Sequence, residues 1–464
     1  MTDVTPTPVA DIPDTVKRLR ATFNGGRTRS LDWRLEQLSR LRTMLVEREE
    51  ELLAALLDDL GKPPTEAYAT DIGFVTAEID YVRKHLAKWM RPEKVWTPLL
   101  AQPGKARLHR EPVGVVLIIS PWNYPVQLLL TPLVGAIAAG NCAVLKPSEV
   151  APNVSRVLSR IVPEYLDTDC VAVVEGAVPE TTALLAERFD HIFYTGNGTV
   201  GRVVMEAAAK HLTPVTLELG GKSPAIVDRH ADLSVAARRI AWGKFLNAGQ
   251  TCVAPDYVLV DSELHDALIT DVRAAVQSFY GDDPRQSPDY ARIVNGRHFE
   301  RLERLLDDGT IAFGGDRDER TRYFAPTALR DVRTDTAIMH EEIFGPILPI
   351  LPVDDVGAAI EFVNERDKPL ALYVFSESEA VQQRVVEETT SGGVCVNGTL
   401  LHLSVPELPF GGVGPSGMGA YHGHASFDTF SHKKGVLTKS TRVDPDVAYP
   451  PYTRLKRALI RRFM

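Results

Sequence analysis

The chain is poor in cysteine. Four are scattered over 464 residues, Cys142, Cys170, Cys252 and Cys395, with no C-x-x-C pair and no regular spacing. That argues against a disulfide framework or a zinc site and suits separate thiols in a reducing compartment. A large excess of one charge is also missing. A formal net charge of −9 is mild at this length and argues against a surface for nucleic acid or for coating a membrane. Residues 1–15 carry neither a basic run nor an apolar run, so no secretory signal is read there and the expectation is a cytoplasmic protein. There is no short-period repeat, low-complexity segment or Gly/Ser/Pro-rich linker, so the two or three domains that this length implies must pack together. His422, His424 and His432 have no carboxylate or cysteine at matching spacing, and no metal site is expected from them.

One absence is local. From Pro112 to Leu145 there is no charged residue, as a membrane span would require. Ser120-Pro121, Asn123, Pro125, Pro132 and Asn141 interrupt the run, and the better reading is a strand (Val113–Ile119), a turn, a helix (Val126–Ala139) and a second strand (Cys142–Leu145). Parallel strands covered on both faces are near-continuously hydrophobic in this way.

Leucines at 31, 35, 38, 41, 45, 52, 56 and 60 predict one long amphipathic helix stopped by Gly61 and Pro63. A second helix is expected over about 70–90, then a hairpin over 95–109 around Gln102-Pro103-Gly104. Beyond Pro112, strand candidates at 171–174, 191–194, 215–219, 225–227, 257–260, 347–351, 372–375 and 394–396 alternate with helical stretches. Alternation on this scale predicts doubly wound α/β sheets.

Four clusters carry chemistry. In Asn247-Ala248-Gly249-Gln250-Thr251-Cys252 a cysteine follows a Gly-containing loop rather than sitting in an apolar strand, as an exposed nucleophile would. In Leu217-Glu218-Leu219-Gly220-Gly221 a glutamate ends an apolar strand, at the sheet edge where ligand crevices open. Burial there would raise its pKa towards that of a general base. Gly196-Asn197-Gly198-Thr199-Val200-Gly201 follows a strand and opens a helix at about Val200, the context for a pyrophosphate. Glu149, in Lys146-Pro147-Ser148-Glu149, is a better ribose partner than Glu218, which cannot serve twice. In Pro121-Trp122-Asn123-Tyr124-Pro125 the Asn123 amide could stabilise an oxyanion, although a Pro- and Asn-rich turn is the plainer reading.

Taken together, Pro121–Pro125, Lys146–Glu149, Glu218–Lys222, Gly249–Cys252, Glu342-Ile343-Phe344-Gly345-Pro346 and Pro409-Phe410-Gly411-Gly412-Val413-Gly414 resemble aldehyde dehydrogenase motifs in that family's order. Thr213–Glu218, Cys252–Tyr257 and Gly417–Gly423 resemble its class 3 branch of fatty and aromatic aldehyde dehydrogenases. The resemblance implies a Rossmann-type dinucleotide domain (1–90 and 113–217), an α/β catalytic domain (218–426), a β oligomerisation arm (91–112 and 427–441), a tail (442–464) and a homodimer. It implies that Cys252 attacks the aldehyde, that Asn123 and the Cys252 N–H hold the oxyanion, and that Glu218 activates water against the resulting thioester. NAD is the expected cofactor, with NADP also accepted. Lys146 and Glu149 would bind the adenine ribose, Gly196 and Gly201 the pyrophosphate turn, Glu342 the nicotinamide ribose and Phe344 its flank. Tyr68, Tyr124, Trp242 and His402 are the substrate-pocket candidates and suit an apolar aldehyde. A CoA-acylating enzyme is the rival within catalysis, and Glu218 argues against it because thiolysis needs no such base. A binding protein that kept the fold and lost the activity is the rival outside it. Finally, residues 454–464 hold five cations and no acid, with Leu455, Leu459 and Phe463 on one helical stripe suited to a lipid surface, a substrate entrance or simple fraying.

Overall fold

The computed structural model describes residues 6–463, apart from the side chains of Leu100 and Phe463. Residues 1–5, part of the stretch in which no secretory signal is expected, and Met464 lie outside the described residues, as does the Phe463 side chain of the tail's stripe.

The uncharged run folds as the alternation predicts. Val115–Ile119 and Cys142–Lys146 pair in parallel, every residue of both is buried, and the Gln127–Ala139 helix crosses between them. They lie inside a six-stranded sheet whose order is 417–418, 215–219, 191–196, 115–119, 142–146, 171–173. All neighbours are parallel except Gly417–Met418, which returns antiparallel with Gly417 opposite Glu218. Strand order reverses between Val115–Ile119 and His191–Gly196, and a ligand crevice opens at such a switch point. Cys142 and Cys170, far apart in sequence, become neighbouring buried free thiols, because parallel pairing sets Ala143 beside Val171.

A second sheet of seven strands runs in the order 310–313, 327–330, 347–353, 257–261, 224–227, 371–375, 393–396. It is parallel but for its first strand. A third, exposed sheet joins Glu93–Val95, Gly104–Pro112 and Ser431–Lys439 in antiparallel pairing. The Gly423–Thr429 helix just before it packs on the first unit: Ser426 and Phe430 fill the space above Gly135, and the Asn141 side-chain amide donates to the Phe430 carbonyl at 2.9 Å.

Three helical expectations change in detail. The leucine stripe is carried by two helices, Leu31–Glu47 and Glu49–Leu60, broken at Arg48 (φ −109°, ψ 15°). Glu49, Glu50 and Glu51 fall in the first turn of the second helix, where acids complement the dipole. The next helix is Gly73–Trp89, entered through a π-turn at Tyr68–Ile72. The nucleotide-loop helix opens at Gly198, two residues before Val200, because the Asn197 side chain caps it by accepting from the Val200 N–H at 3.0 Å.

Candidate active site

The cysteine loop begins where the Leu233–Phe245 helix ends. Asn247, Ala248 and Gly249 all take left-handed backbone (φ 51°, 50° and 74°), which costs a non-glycine residue free energy that its surroundings must offset. The surroundings do so. The Asn247 N–H donates to Glu66 Oε1 at 2.8 Å, and its side-chain amide donates to the Asn123 carbonyl at 2.9 Å and the Gln250 carbonyl at 3.2 Å. A Cβ on Gly249 would lie 2.2 Å from the Gly345 carbonyl oxygen, so the Glu342–Pro346 motif closes directly on this loop.

Cys252 follows, partly exposed, with its thiol enclosed by protein. Burial raises the thiol pKa, and the nearby Glu342 and Glu218 carboxylates raise it further. The backbone N–H groups of Cys252 and Val253 point positive charge towards the sulfur and pull the other way. Asn123 is buried. Its side-chain amide donates one bond to the Gln250 carbonyl at 3.0 Å, which leaves a second N–H free of that partner. Tyr124 is tied to the same loop by a 2.6 Å hydroxyl contact with Thr251.

Glu218 is buried, and neither carboxylate oxygen has a hydrogen-bond partner among the described residues. Burial alone lifts its pKa well above the usual carboxylate range. Glu342 is similar: burial, then Asp256, raise it to about 8, and its Oε1 is unpartnered. Its carboxylate occupies the space over Gly220, where a Cβ would lie 2.0 Å away. Phe344 stands edge-on to Trp122 with centroids 5.4 Å apart, linking the Glu342 motif to the Asn123 turn. The Ser416 carbonyl accepts from Leu219 N–H at 3.0 Å, and this brings the Pro409–Gly414 segment to the end of the Glu218 strand.

The other nucleotide candidates gather at the carboxyl ends of the first sheet. Lys146 is buried and donates to the Pro147 carbonyl at 2.7 Å and to Glu149 Oε2 at 3.4 Å, while the Glu149 side chain is 44% exposed. Gly196 has no room for a side chain, since its Cβ would meet the Tyr194 hydroxyl at 2.2 Å. At Gly201 a Cβ would meet Leu219 at 2.9 Å, so glycine lets the helix close on the strand. The reversal of strand order, a capped helix N-terminus beside it, a buried lysine and a Glu342 oxygen without a partner among the described residues fit a dinucleotide.

Of the pocket candidates, Tyr124 and His402 reach the site. Tyr373 donates to the Val253 carbonyl at 2.5 Å and its ring lies 6.1 Å from His402. Tyr68 and Trp242 are 45% and 37% exposed, and no described hydrogen bond joins either to Cys252. Lys62, Glu66 and Asp71 go unmarked in the sequence, and Asn247 and Trp122 stand in quoted motifs without a role of their own. Each acts across long sequence separation, and no local pattern announces that.

A thiol beside two carboxylates, next to the reversal of a doubly wound sheet, is the arrangement of a thiol-dependent oxidoreductase. The family model described as "Aldehyde dehydrogenase family" matches residues 1–436. The chain is 53% identical over 443 residues to mouse "Aldehyde dehydrogenase family 3 member A2", covering 95% of this chain and 92% of the relative. It is 51% identical over 445 residues to rat "Aldehyde dehydrogenase, dimeric NADP-preferring", covering 96% and 98%. The solved structure titled "Substrate bound state of Staphylococcus Aureus AldH" superposes with a TM-score of 0.95 at 50% identity, covering 97% of this chain and 99% of that one. The chain belongs to the aldehyde dehydrogenase family, and it is an enzyme that oxidises aldehydes with a nicotinamide dinucleotide.

Proposed function

We propose that the Cys252 thiol gives up its proton to water and adds through sulfur to the aldehyde carbonyl, with the Asn123 amide and the Cys252 N–H holding the oxygen that becomes negative. A bound nicotinamide would supply the two-electron acceptor for the hydride lost when the former aldehyde C–H bond breaks, and the acyl group then stays on Cys252 as a thioester. Glu218 then takes a proton from water. That water attacks the thioester carbonyl, expels the Cys252 thiolate and releases the carboxylic acid. The observation that carries this reading is the buried Glu218 carboxylate with both oxygens unpartnered, a base held ready for a water.

Lys146 and Glu149 hold the adenine ribose, Glu342 the nicotinamide ribose with Phe344 alongside, and Gly196 and Gly201 keep the pyrophosphate turn close. A carboxylate at Glu149 favours NAD over a 2′-phosphate. Its exposure, and the "NADP-preferring" name of the rat relative, support acceptance of NADP as well. Comparing kcat/KM for the two coenzymes decides the preference. The substrate is a medium- or long-chain aliphatic or an aromatic aldehyde.

The parts divide as 1–90 with 113–217 for the dinucleotide, 218–426 for catalysis, and 91–112 with 427–441 as the arm of a homodimer. One strand, Gly417–Met418, is lent back to the first sheet. The tail 442–464 ends in a helix, Arg454–Phe463, with Leu455 and Leu459 exposed among basic residues, which supports weak contact with an anionic lipid surface. Cosedimentation with phosphatidylserine vesicles tests it. The cytoplasm is the proposed compartment, to be checked by imaging a fluorescent fusion.

Glu218→Gln tests the mechanism. The variant keeps shape but cannot take a proton, so rapid mixing should give a burst of NADH near one per site. Later turnovers should slow by about 10² to 10⁴, with the acyl group visible on Cys252 by intact mass. Loss of the burst along with steady-state activity would place Glu218 before oxidation. Unchanged turnover would remove it as the base and reopen the CoA-acylating alternative.

A further inference from the structure

Lys62 is fully buried, 61 residues before the Asn123 turn, and all three of its ammonium directions are used. It donates to Asp71 Oδ2 at 2.8 Å and to the Asn123 carbonyl at 3.0 Å, and it sits 4.0 Å from the centroid of the Tyr124 ring. Asp71, equally buried, turns its other oxygen to the N–H groups of Val126 and Gln127 at 3.2 Å each, where the next helix starts. Burying both charges carries a large desolvation cost, which a purely apolar plug would avoid.

We infer that Lys62 is a positioning residue for aldehyde oxidation: its ammonium pins the Asn123–Tyr124 turn against the cysteine loop, so that the Asn123 amide keeps its place at the oxyanion. The route is short. Lys62 and Asn247 share the Asn123 carbonyl as acceptor, and the Asn123 amide holds the Gln250 carbonyl. The Tyr124 ring under the ammonium reaches Thr251, one residue before the nucleophile. Without the ammonium the turn keeps one of its two carbonyl donors, and the left-handed Asn247–Gly249 run loses a fixed neighbour. The inference rests on the proposed oxyanion role of Asn123.

A double-mutant cycle on the rate of the first NADH burst tests it, with binding of NAD to each variant measured alongside. Asn123→Ala should slow the burst by about 10² to 10³, as removal of one oxyanion donor does. Lys62→Met should slow it roughly ten- to a hundredfold by misplacing that donor. NAD affinity should be unchanged within about twofold, and the aldehyde KM should move less than the burst rate. The double variant should be no slower than about Asn123→Ala alone, because both act through one group. Multiplying losses, or a Lys62→Met burst at the wild-type rate, would overturn the role of Lys62 while leaving Asn123 in place. A wild-type burst in Asn123→Ala would instead remove the oxyanion assignment, and this inference with it. Should Lys62→Met fail to fold, Lys62→Met/Asp71→Asn leaves no unpaired buried charge and enters the same cycle with the same expectations.

Discussion

The phenol of Tyr124 is committed on both sides, its hydroxyl to Thr251 and its ring to the Lys62 ammonium, so it is a fixed part of the site. His402 is different in kind. Both ring nitrogens are buried without partners among the described residues, and burial lowers its pKa to about 4, which keeps the ring neutral near pH 7. Tyr373 and Phe410 flank it. A pocket built from neutral aromatic groups rewards apolar surface. The expected outcome is a kcat/KM that climbs with aldehyde chain length, each buried methylene adding at most about 0.8 kcal/mol, roughly fourfold. A flat series, or an optimum at succinic semialdehyde, would contradict the pocket reading. At this scale Cys252 and Glu218 stand out as candidates because each sits in a loop or strand end of special local chemistry, and Glu342 only through the motif that resembles the family's. Lys62 does not: a lone lysine before Pro63 reads as a solvated surface residue until the fold buries it.

Among the elements, the Gly73–Trp89 helix holds a carboxylate with a structural rather than chemical task. Glu78 is buried, its Oε1 accepts from the Gly423 N–H at 2.6 Å, and burial raises its pKa to about 7. The folded pKa exceeds the unfolded one, so the fold prefers the protonated acid. The associated stability is whole below about pH 4.5 and is lost as pH rises through about 7. Glu78→Gln keeps the acceptor and cannot ionise. Its Tm relative to wild type should therefore rise between pH 5 and pH 8, with a ceiling of about 3 kcal/mol from the size of the shift. A Tm difference independent of pH across that window would show that Glu78 does not titrate there. Most helices and strands could be read from period alone. The break at Arg48 and the π-turn at Tyr68–Ile72 could not, since the leucine stripe runs unbroken past the first and packing around Asp71 accompanies the second.

For the whole molecule, the arm is the part that looks incomplete in one chain. Ser431–Lys439 is a nine-residue outer strand with an unpaired edge, and Val95, Trp96, Leu99 and Leu437 stand exposed around the sheet. Such an edge invites a partner, and a second copy of the chain is the occupant proposed for it. Light scattering should give the mass of two chains at micromolar concentration, and Leu437→Lys should shift the population towards one. A wild-type chain that stays single would take the arm out of the assembly.

The linear chain by itself determined the alternation of strand and helix and the family motifs from which the nucleophile, its base and the dinucleotide loop are proposed, because period and motif are properties of neighbours in sequence. Only the tertiary structure decided where the sheet reverses, that Cys142 and Cys170 touch, that Gly417 pairs with Glu218, and that Lys62 lies beneath Asn123. Those depend on burial and on contacts between residues tens to hundreds of positions apart. A charge's role in the interior is set by which partner the packing brings to it, and the local pattern holds no record of that.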